Sequence, residues 1–200
     1  MSDEEAKVPT LKEFLDSRVL PVFVAAVADA EREFLQAQKE LDELRGGAGT
    51  ICWRVADDAP FYFNFADGKA LIEPKPASEP VLTFRMSADD WRRFAGGVAG
   101  GFLAGGNRRG LGKSRLEKLK PLRGTVRFVL TGLPDGDWSA DLALNGEPAD
   151  LPTATIRMPS EVASEIQTGK LNPQMAFMQG KVKMLGDAGL VMQLGMAMLL

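Results

Sequence analysis

The feature that most constrains the fold is a residue pattern that begins at Gly49 and repeats after roughly 75 residues. The matching segments are Gly49-Thr50 with Gly124-Thr125, Phe84-Arg85-Met86 with Ile156-Arg157-Met158, Phe102 and Gly105 with Phe177 and Gly180, and Leu111-Gly112 with Leu185-Gly186. The offsets vary by only a few residues, which changes in loop length would explain. Four matches in one register predict a tandem duplication.

Each copy contains three segments in which apolar residues alternate with other residues, and this period of two predicts strands with one buried face. The alternating sets are Ile51, Trp53 and Val55; Phe61, Phe63 and Phe65; Leu82, Phe84 and Met86; then Val126, Phe128 and Leu130; Trp138, Ala140, Leu142 and Leu144; Ala154, Ile156 and Met158. Asp67-Gly68 and Asn145-Gly146 supply turn residues after the second strand of each copy. The rest of each copy has helical patterns. We therefore predict an α+β fold in which helices cover one face of largely antiparallel sheets, five-stranded in type.

A long helix is predicted ahead of the first copy. Thr10 and Glu13 form a capping box that would begin it, Pro21 would kink or break it, and Gly46 and Gly47 would end it. Its apolar residues follow alternating steps of four and three, at Phe23, Val27, Ala30, Phe34, Ala37, Leu41 and Leu44. We expect this stripe to pack on the protein's own sheet, with a coiled coil to a second helix as the alternative.

The complete absence of histidine argues against most catalytic and metal chemistry. It removes the commonest general base and metal ligand, and every Ser-His or Cys-His pair. Cys52, the single cysteine, is predicted to be an inert thiol. We therefore expect no enzyme activity, no metal and no cofactor.

Composition and charge describe a globular protein without a strong overall bias toward anionic partners, since the net charge is −3. The amino-terminal residues are acidic where a secretory signal would be basic and then apolar, which predicts a cytoplasmic location. The longest apolar run, Ala188 to Leu200, is shorter than the roughly 20 residues that span a bilayer.

A glycine-rich stretch, residues 96–112, leads into the sequence Gly-Lys-Ser, but it does not fit a phosphate-binding loop. Asn107 stands where that motif requires its first glycine. A run of basic residues lies within and after this stretch, at Arg108, Arg109, Lys113, Arg115, Lys118 and Lys120. Interleaved leucines predict a cationic amphipathic helix that makes transient contact with a membrane surface or an anion, with an ordinary solvated face as the alternative. The run has no aromatic residue for base stacking, which argues against nucleic-acid binding.

The carboxyl-terminal segment is rich in methionine: seven of the nine methionines follow residue 157. Flexible, polarizable side chains suit a surface that adapts to an apolar partner, although methionine also fills ordinary cores. The same segment carries a Gly-Lys-x-Asn-Pro-x-x-Ala-Phe-x-x-Gly-Lys turn followed by Gly-Asp-x-Gly-Leu. The matching residues are Gly169, Lys170, Asn172, Pro173, Ala176, Phe177, Gly180, Lys181, Gly186, Gly189 and Leu190.

This motif resembles the sterol carrier protein type two family, over residues 124 to 194, whereas the first copy lacks the Asn-Pro turn. The resemblance implies a lipid tunnel between the sheet and the last helix. Its lining would be Phe128, Ile156, Met158, Met175, Phe177, Met178, Met184, Leu190, Met192 and Leu194. The predicted organisation is a disordered acidic leader over residues 1–9, a helical segment over 10–47, a degenerate copy over 48–123 and a second copy over 124–200.

The sequence therefore predicts a carrier for a lipid or another hydrophobic small molecule, such as a fatty acid, an acyl-CoA, a sterol-like molecule or an isoprenoid. A scaffold that presents lipophilic intermediates to the enzymes of a pathway is the alternative, with a homodimer or an enzyme as partner. An enzyme that acts on a hydrophobic substrate through carboxylates is the third hypothesis.

Overall fold

The computed structural model describes residues 10–98 and 111–199. It shows one open eight-stranded sheet in the order β3-β2-β1-β4-β6-β5-β7-β8. The strands are β1 (Gly49–Val55), β2 (Phe61–Ala66), β3 (Lys69–Glu73), β4 (Leu82–Met86), β5 (Gly124–Thr131), β6 (Trp138–Leu144), β7 (Ala154–Pro159) and β8 (Lys183–Gly186). The predicted acidic leader, Arg108, Arg109, Phe102 and Gly105 lie outside the described residues. The α+β class is confirmed.

The strand pairing repeats along the chain. β1 pairs antiparallel with β2 and parallel with β4, and β5 pairs antiparallel with β6 and parallel with β7. β1, β2 and β4 thus form the first strand set, and β5, β6 and β7 form the second. The two sets are joined where β4 pairs antiparallel with β6. The predicted sheets are thus parts of one continuous sheet, because the last strand of the first set and the hairpin strand of the second set share hydrogen bonds.

The β3 strand was not predicted from the alternating pattern. Asp67 and Gly68 both have positive φ, 52° and 72°, which is the conformation of a two-residue hairpin turn. The turn places β3 antiparallel to β2 at one edge of the sheet, and all five residues of β3 are exposed. A strand with no buried face lacks the hydrophobic signal on which sequence prediction depends.

The amino-terminal helix is continuous but irregular. It comprises α1 (Leu11–Phe14), a π-helical turn (Leu15–Val19) and α2 (Leu20–Arg45). Pro21 has no N–H group to donate, and a wider turn just before it accommodates this loss, so the predicted break is a local distortion. Asp42 ends the first of two compact units of the chain, and Glu43 begins the second. Phe23 and Phe34, two residues of the apolar stripe, are 66% and 68% exposed.

Helices of the second unit cover one face of the sheet, as predicted. They are α3 (Ala88–Ala95), α4 (Lys113–Leu119), α5 (Ser160–Gln167), α6 (Pro173–Met178) and α7 (Ala188–Leu199). Beneath them, apolar residues from neighbouring strands lie side by side: Phe84 lies opposite Leu142, which lies opposite Val126. Trp53 stacks on Phe84 with ring centroids 4.5 Å apart. The core is therefore shared by both strand sets.

The opposite face of the sheet is polar and centres on Asp141, whose side chain is 8% exposed. Its carboxylate accepts hydrogen bonds from Arg127 Nε at 2.6 Å and Arg85 Nη2 at 2.8 Å. Burial raises the pKa of Asp141, but the hydrogen bonds and charges of Arg127 and Arg85 outweigh burial and hold this pKa below its ordinary value. Arg85 also donates to the Ala149 carbonyl at 2.8 Å, so the cluster holds the loop after β6 against the sheet.

We predict that Asp141→Asn lowers the free energy of unfolding by about 2–3 kcal/mol, because it leaves two half-exposed arginines without their carboxylate. Urea denaturation at neutral pH would measure this loss. A carboxyl whose pKa is lowered on folding contributes stability above its unfolded pKa and loses it as the pH falls through the folded pKa. The difference between the variant and the natural protein should therefore shrink below about pH 4.

Asp150→Asn is the matched control, since the Asp150 side chain is 99% exposed although it also pairs with Arg85. It should change stability by less than about 0.5 kcal/mol. An equal effect of both substitutions would contradict the central role of Asp141.

Candidate functional site

The candidate site lies where α7 covers the β7 and β8 strands, and α6 adds the buried Ala176 to the same core. On the helix-covered face, Phe128 lies beside Ile156, and Ile156 lies opposite Met184. Phe128 is buried, whereas Ile156 and Met184 are half-buried and pack against the core. These three side chains form an apolar row across β5, β7 and β8, the strands at one side of the sheet.

The position of α7 over this region is fixed by its first turn. Gly186 adopts φ 81°, and a Cβ there would come within 2.4 Å of the Thr153 carbonyl oxygen. Asp187 then caps the helix, accepting a hydrogen bond from the Leu190 N–H at 2.9 Å. A Cβ at Gly124 would lie 3.0 Å from Leu190 Cδ2, so two glycines permit α7 to approach the sheet closely.

The first turn of α6 is also fixed by a capping side chain, which belongs to the Asn-Pro turn. Asn172 Oδ1 accepts hydrogen bonds from the N–H groups of Gln174 at 2.8 Å and Met175 at 3.3 Å. Pro173 occupies the first helical position, where its fixed φ suits the helix and no N–H is needed. Ala176 is completely buried in the core, and a small residue there lets the short helix lie against it.

The structure divides the predicted tunnel residues into two groups. The first group belongs to the packed core or lies against it: Phe128, Ile156, Met158, Met184, Leu190 and Leu194. The second group is exposed on the outer surfaces of α6 and α7: Met175, Phe177, Met178 and Met192. The structure therefore does not bring all ten side chains together around one enclosed space.

The exposed group continues beyond the predicted residues. Met178 and Met192 are 78% and 62% exposed, and Met196 and Met198 on α7 are exposed as well. We call Met175, Phe177, Met178, Met192, Met196 and Met198 the methionine surface. Exposed apolar side chains in such number are uncommon unless they contact a ligand, a membrane or a partner.

The basic helix is only partly as predicted. Lys113, Lys118 and Lys120 are exposed, but Arg115 is buried, at 7% exposure, on the side of α4 that carries Leu116 and Leu119. The side chain of Arg115 is therefore not part of an exposed docking face. Helical spacing places it among the buried residues, and the charge pattern alone did not indicate this.

The first turn of α4 is capped by a distant residue. Gly112 occupies the capping position before the helix but has no side chain to accept a hydrogen bond. The Glu43 carboxylate acts as the cap, since it accepts hydrogen bonds from Ser114 N at 3.0 Å and Ser114 Oγ at 2.9 Å. This cap connects the last turn of α2 to α4, and sequence reasoning missed it because the two residues are far apart in the chain.

The described residues show no constellation suited to metal chemistry. In residues 10–98 and 111–199, no three metal-ligating side chains come together. Cys52 is 1% exposed, and burial raises the pKa of its thiol, which disfavours the reactive thiolate. No helix in these ranges is both long and apolar enough to cross a membrane.

We predict that Leu190→Ala and Met192→Ala differ sharply in stability although the residues are two positions apart. Leu190 is 7% exposed, and its truncation should lower the free energy of unfolding by about 2–4 kcal/mol. Met192 is exposed, and its truncation should cost less than about 0.5 kcal/mol. Urea denaturation of both variants measures the difference, and equal losses would mean that α7 is rotated about its axis from the position described.

Comparison with known proteins bears on the same part of the chain. Residues 107–198 match the model of the SCP-2 sterol transfer family. Hydroxysteroid dehydrogenase-like protein 2 of Xenopus tropicalis is 38% identical over 84 residues, which cover 39% of this chain and 20% of that protein. Sterol carrier protein 2 of Rattus norvegicus is 37% identical over 87 residues, which cover 39% of this chain and 16% of that protein.

The human hydroxysteroid dehydrogenase-like protein 2 matches over a longer stretch, at 33% identity over 138 residues, 66% of this chain and 28% of that protein. The chain thus spans less than a third of the length of these three relatives. Among solved structures, the sterol carrier protein domain 2 of Helicoverpa armigera is 30% identical and superposes with a TM-score of 0.33, over 40% of this chain and 70% of that domain.

Proposed function

We propose that the protein binds lipids or other hydrophobic small molecules and transfers them between membranes, because residues 107–198 match the model of the SCP-2 sterol transfer family. The observation that carries the proposal is the methionine surface, which lies on α6 and on α7, and α7 covers the two strands that carry Ile156 and Met184. Helices that are apolar on both their inner and outer sides still present apolar side chains to a lipid when they shift or rotate to admit it.

The proposed binding site is the layer between this row and α6 and α7. A lipid chain would enter beside the half-buried Ile156 and Met184, and the side chains of Met175, Phe177, Met178 and Met192 would close over it. Each buried CH₂ group contributes about 0.8 kcal/mol, so a long chain binds tightly without polar contacts. We expect fatty acids, acyl-CoA, sterol-like molecules and isoprenoids to be accepted with little selectivity, because methionine side chains adapt to different shapes.

Delivery to a membrane would use the exposed lysines of α4. Lys113, Lys118 and Lys120 lie on the solvent side of that helix, and α4 packs against α7. Lysines beside an apolar surface favour contact with anionic headgroups. We also propose a cytoplasmic location, because a chain with the single cysteine Cys52 has no internal disulfide, as is usual for proteins of a reducing compartment.

The repeated strand pairing supports an origin by duplication. We infer that residues 48–123 and 124–200 are two copies of one unit, following the helical segment 10–47. The second copy carries the proposed site, since only it has the Asn-Pro turn and a long apolar closing helix. Within residues 10–98 and 111–199, the side chains assigned to this site are apolar and carry no catalytic group, and we propose a binding role without catalysis.

A scaffold function is the second candidate, and the exposed apolar stripe of α2 favours it. Phe23 and Phe34 are about two-thirds exposed at coiled-coil spacing, which suits contact with another helix. A stable complex with an enzyme of a lipophilic pathway, recovered by pull-down, would support this candidate.

We predict that the freshly purified protein carries lipid, or takes up added fatty acid, at one molecule per chain, as measured by native mass spectrometry. Met178→Lys with Met192→Lys should weaken binding of a fluorescent fatty acid at least about tenfold, because charged side chains would have to enter an apolar site. The thermal unfolding of the double variant should be unchanged, since both side chains are exposed.

Phe61→Lys is the control for this test. Phe61 is 55% exposed and lies on β2, near the edge of the sheet opposite to β7 and β8. It should leave binding unchanged. A protein that binds neither fatty acids nor isoprenoids would contradict the carrier function, whereas binding that survives the double substitution would contradict only the assigned site.

We predict that replacing Lys113, Lys118 and Lys120 with glutamate reduces binding to vesicles that contain phosphatidylserine, and that salt weakens binding of the natural protein. Replacing the same lysines with arginine keeps the charge and should preserve binding. Vesicle cosedimentation measures both effects. Equal binding of the glutamate and arginine variants would exclude an electrostatic docking role for α4.

A further inference from the structure

The free edge of the sheet at β3 is suited to pair with a second copy of itself. β3 stands at the end of the strand order, and within the described ranges no strand pairs with its outer edge. Leu71 and Ile72 are 64% and 74% exposed. An exposed strand edge with large apolar side chains is a template for another strand.

The side chains of β3 divide between the two faces of the sheet. Ile72 lies opposite Phe63, and Ala70 opposite Phe65, so Ala70 and Ile72 belong to the helix-covered face. Lys69, Leu71 and Glu73 therefore belong to the polar face. Two antiparallel strands that meet edge to edge keep each face continuous only when residues of the same face stand opposite each other.

This condition selects one full register for β3 against β3 of a second copy. A twofold axis through Leu71 places Lys69 opposite the partner's Glu73, Ala70 opposite the partner's Ile72, and Leu71 opposite the partner's Leu71. The symmetry repeats the Lys69 to Glu73 pair at both ends of the interface. Opposite charges directly across an antiparallel pair are stabilising, and both exposed apolar side chains find apolar neighbours.

We propose that two copies of the protein associate through antiparallel β3 strands into one sixteen-stranded sheet, with the register set by the Lys69 to Glu73 pairs. The contact is self-complementary and therefore closes as a dimer. Pro74 follows the strand and has no N–H to continue the ladder, so the interface ends after Glu73.

The opposite edge of the sheet does not have this property. β8 has four residues, and of the two same-face registers that pair the most of them with a second β8, one sets Lys183 against the partner's Leu185 and the other leaves Lys183 beyond the paired residues. Lys183 would then have no opposite charge. Pairing of β3 with β8 of another copy would leave a free edge at each end and extend without closing. Charge complementarity thus favours β3 with β3.

The test is sedimentation velocity of the full chain over an about hundredfold range of concentration, because an interface of five residues per chain is below the usual size and should associate reversibly. Lys69→Glu alone, or Glu73→Lys alone, sets like charges opposite each other twice. Each should raise the dissociation constant at least about tenfold. The double variant, Lys69→Glu with Glu73→Lys, exchanges the charges and should restore the dimer.

An equimolar mixture of the two single variants gives the sharpest result. One chain then carries two acidic residues and the other two lysines, so both pairs are attractive only in the mixed dimer. The mixture should associate where neither variant does. A natural protein that stays monomeric throughout the range, or a mixture that does not associate, would overturn the proposal.

Glu73 also accepts a hydrogen bond from Asn64 Nδ2 at 2.8 Å, so a second variant avoids this contact. Leu71→Lys sets two lysines opposite each other at the axis and should abolish the dimer. Leu185→Lys changes an equally exposed leucine, at 62%, on the other edge strand and should have no effect. A dimer that survives Leu71→Lys would be formed elsewhere, and the β3 interface would be wrong.

Discussion

The antiparallel pairing of β4 with β6 is the contact on which the rest of the second unit depends. It aligns Leu82 with Leu144 and Phe84 with Leu142, so that one apolar layer runs across both strand sets. The helices strengthen this join, because α3 follows β4 but docks on β6. The Trp138 indole donates to the Asp90 carbonyl at 2.9 Å, and Arg93 donates to the Gly136 carbonyl at 2.6 Å. Neither strand set has a complete core without the other, so we expect the two sets to unfold together.

The sequence predicts most elements of this fold because their apolar periodicity is strong. The alternating sets in β1, β2 and β4 to β7 all lie on the helix-covered face, as expected for strands with one buried side. The joining of the two sets could not be predicted, since pairing between β4 and β6 depends on contacts far apart in the chain. β3 was missed for a different reason: Lys69 to Glu73 is exposed on both faces, so no burial pattern marks it.

The sequence indicates which residues to consider for a site, but it does not indicate how the helix that carries many of them is oriented. Methionines and leucines at helical spacing give no indication of which side of α7 faces the sheet when nearly every position is apolar. The orientation of α7 is determined by Gly124, Gly186 and the Asp187 cap. They allow the helix to begin close to the sheet, with Leu190 in contact with β5. Leu194 and Ala197 then join Leu190 in the core, and Met192 and Met196 face outward. Arg115 also shows that residue type alone does not indicate which side of a helix is buried. Its charge predicted an exposed side chain, but its position on α4 places it among the buried residues.

The two strand sets differ most in the position of the helix that follows each of them, and on the proposed function we expect this difference to leave one lipid site per chain. α7 lies over β7 and β8, the strands that precede it in the chain. α4 packs against α7 and not over the first strand set, and the Asn145 side chain donates hydrogen bonds to the carbonyls of Leu119 and Leu122 at its end, at 2.8 and 3.0 Å. α4 is thus part of the helical layer over the second strand set. We expect α4 to support α7 from the side, so that the helix that must move to admit a lipid is α7, and the lysines of α4 are next to it when it does.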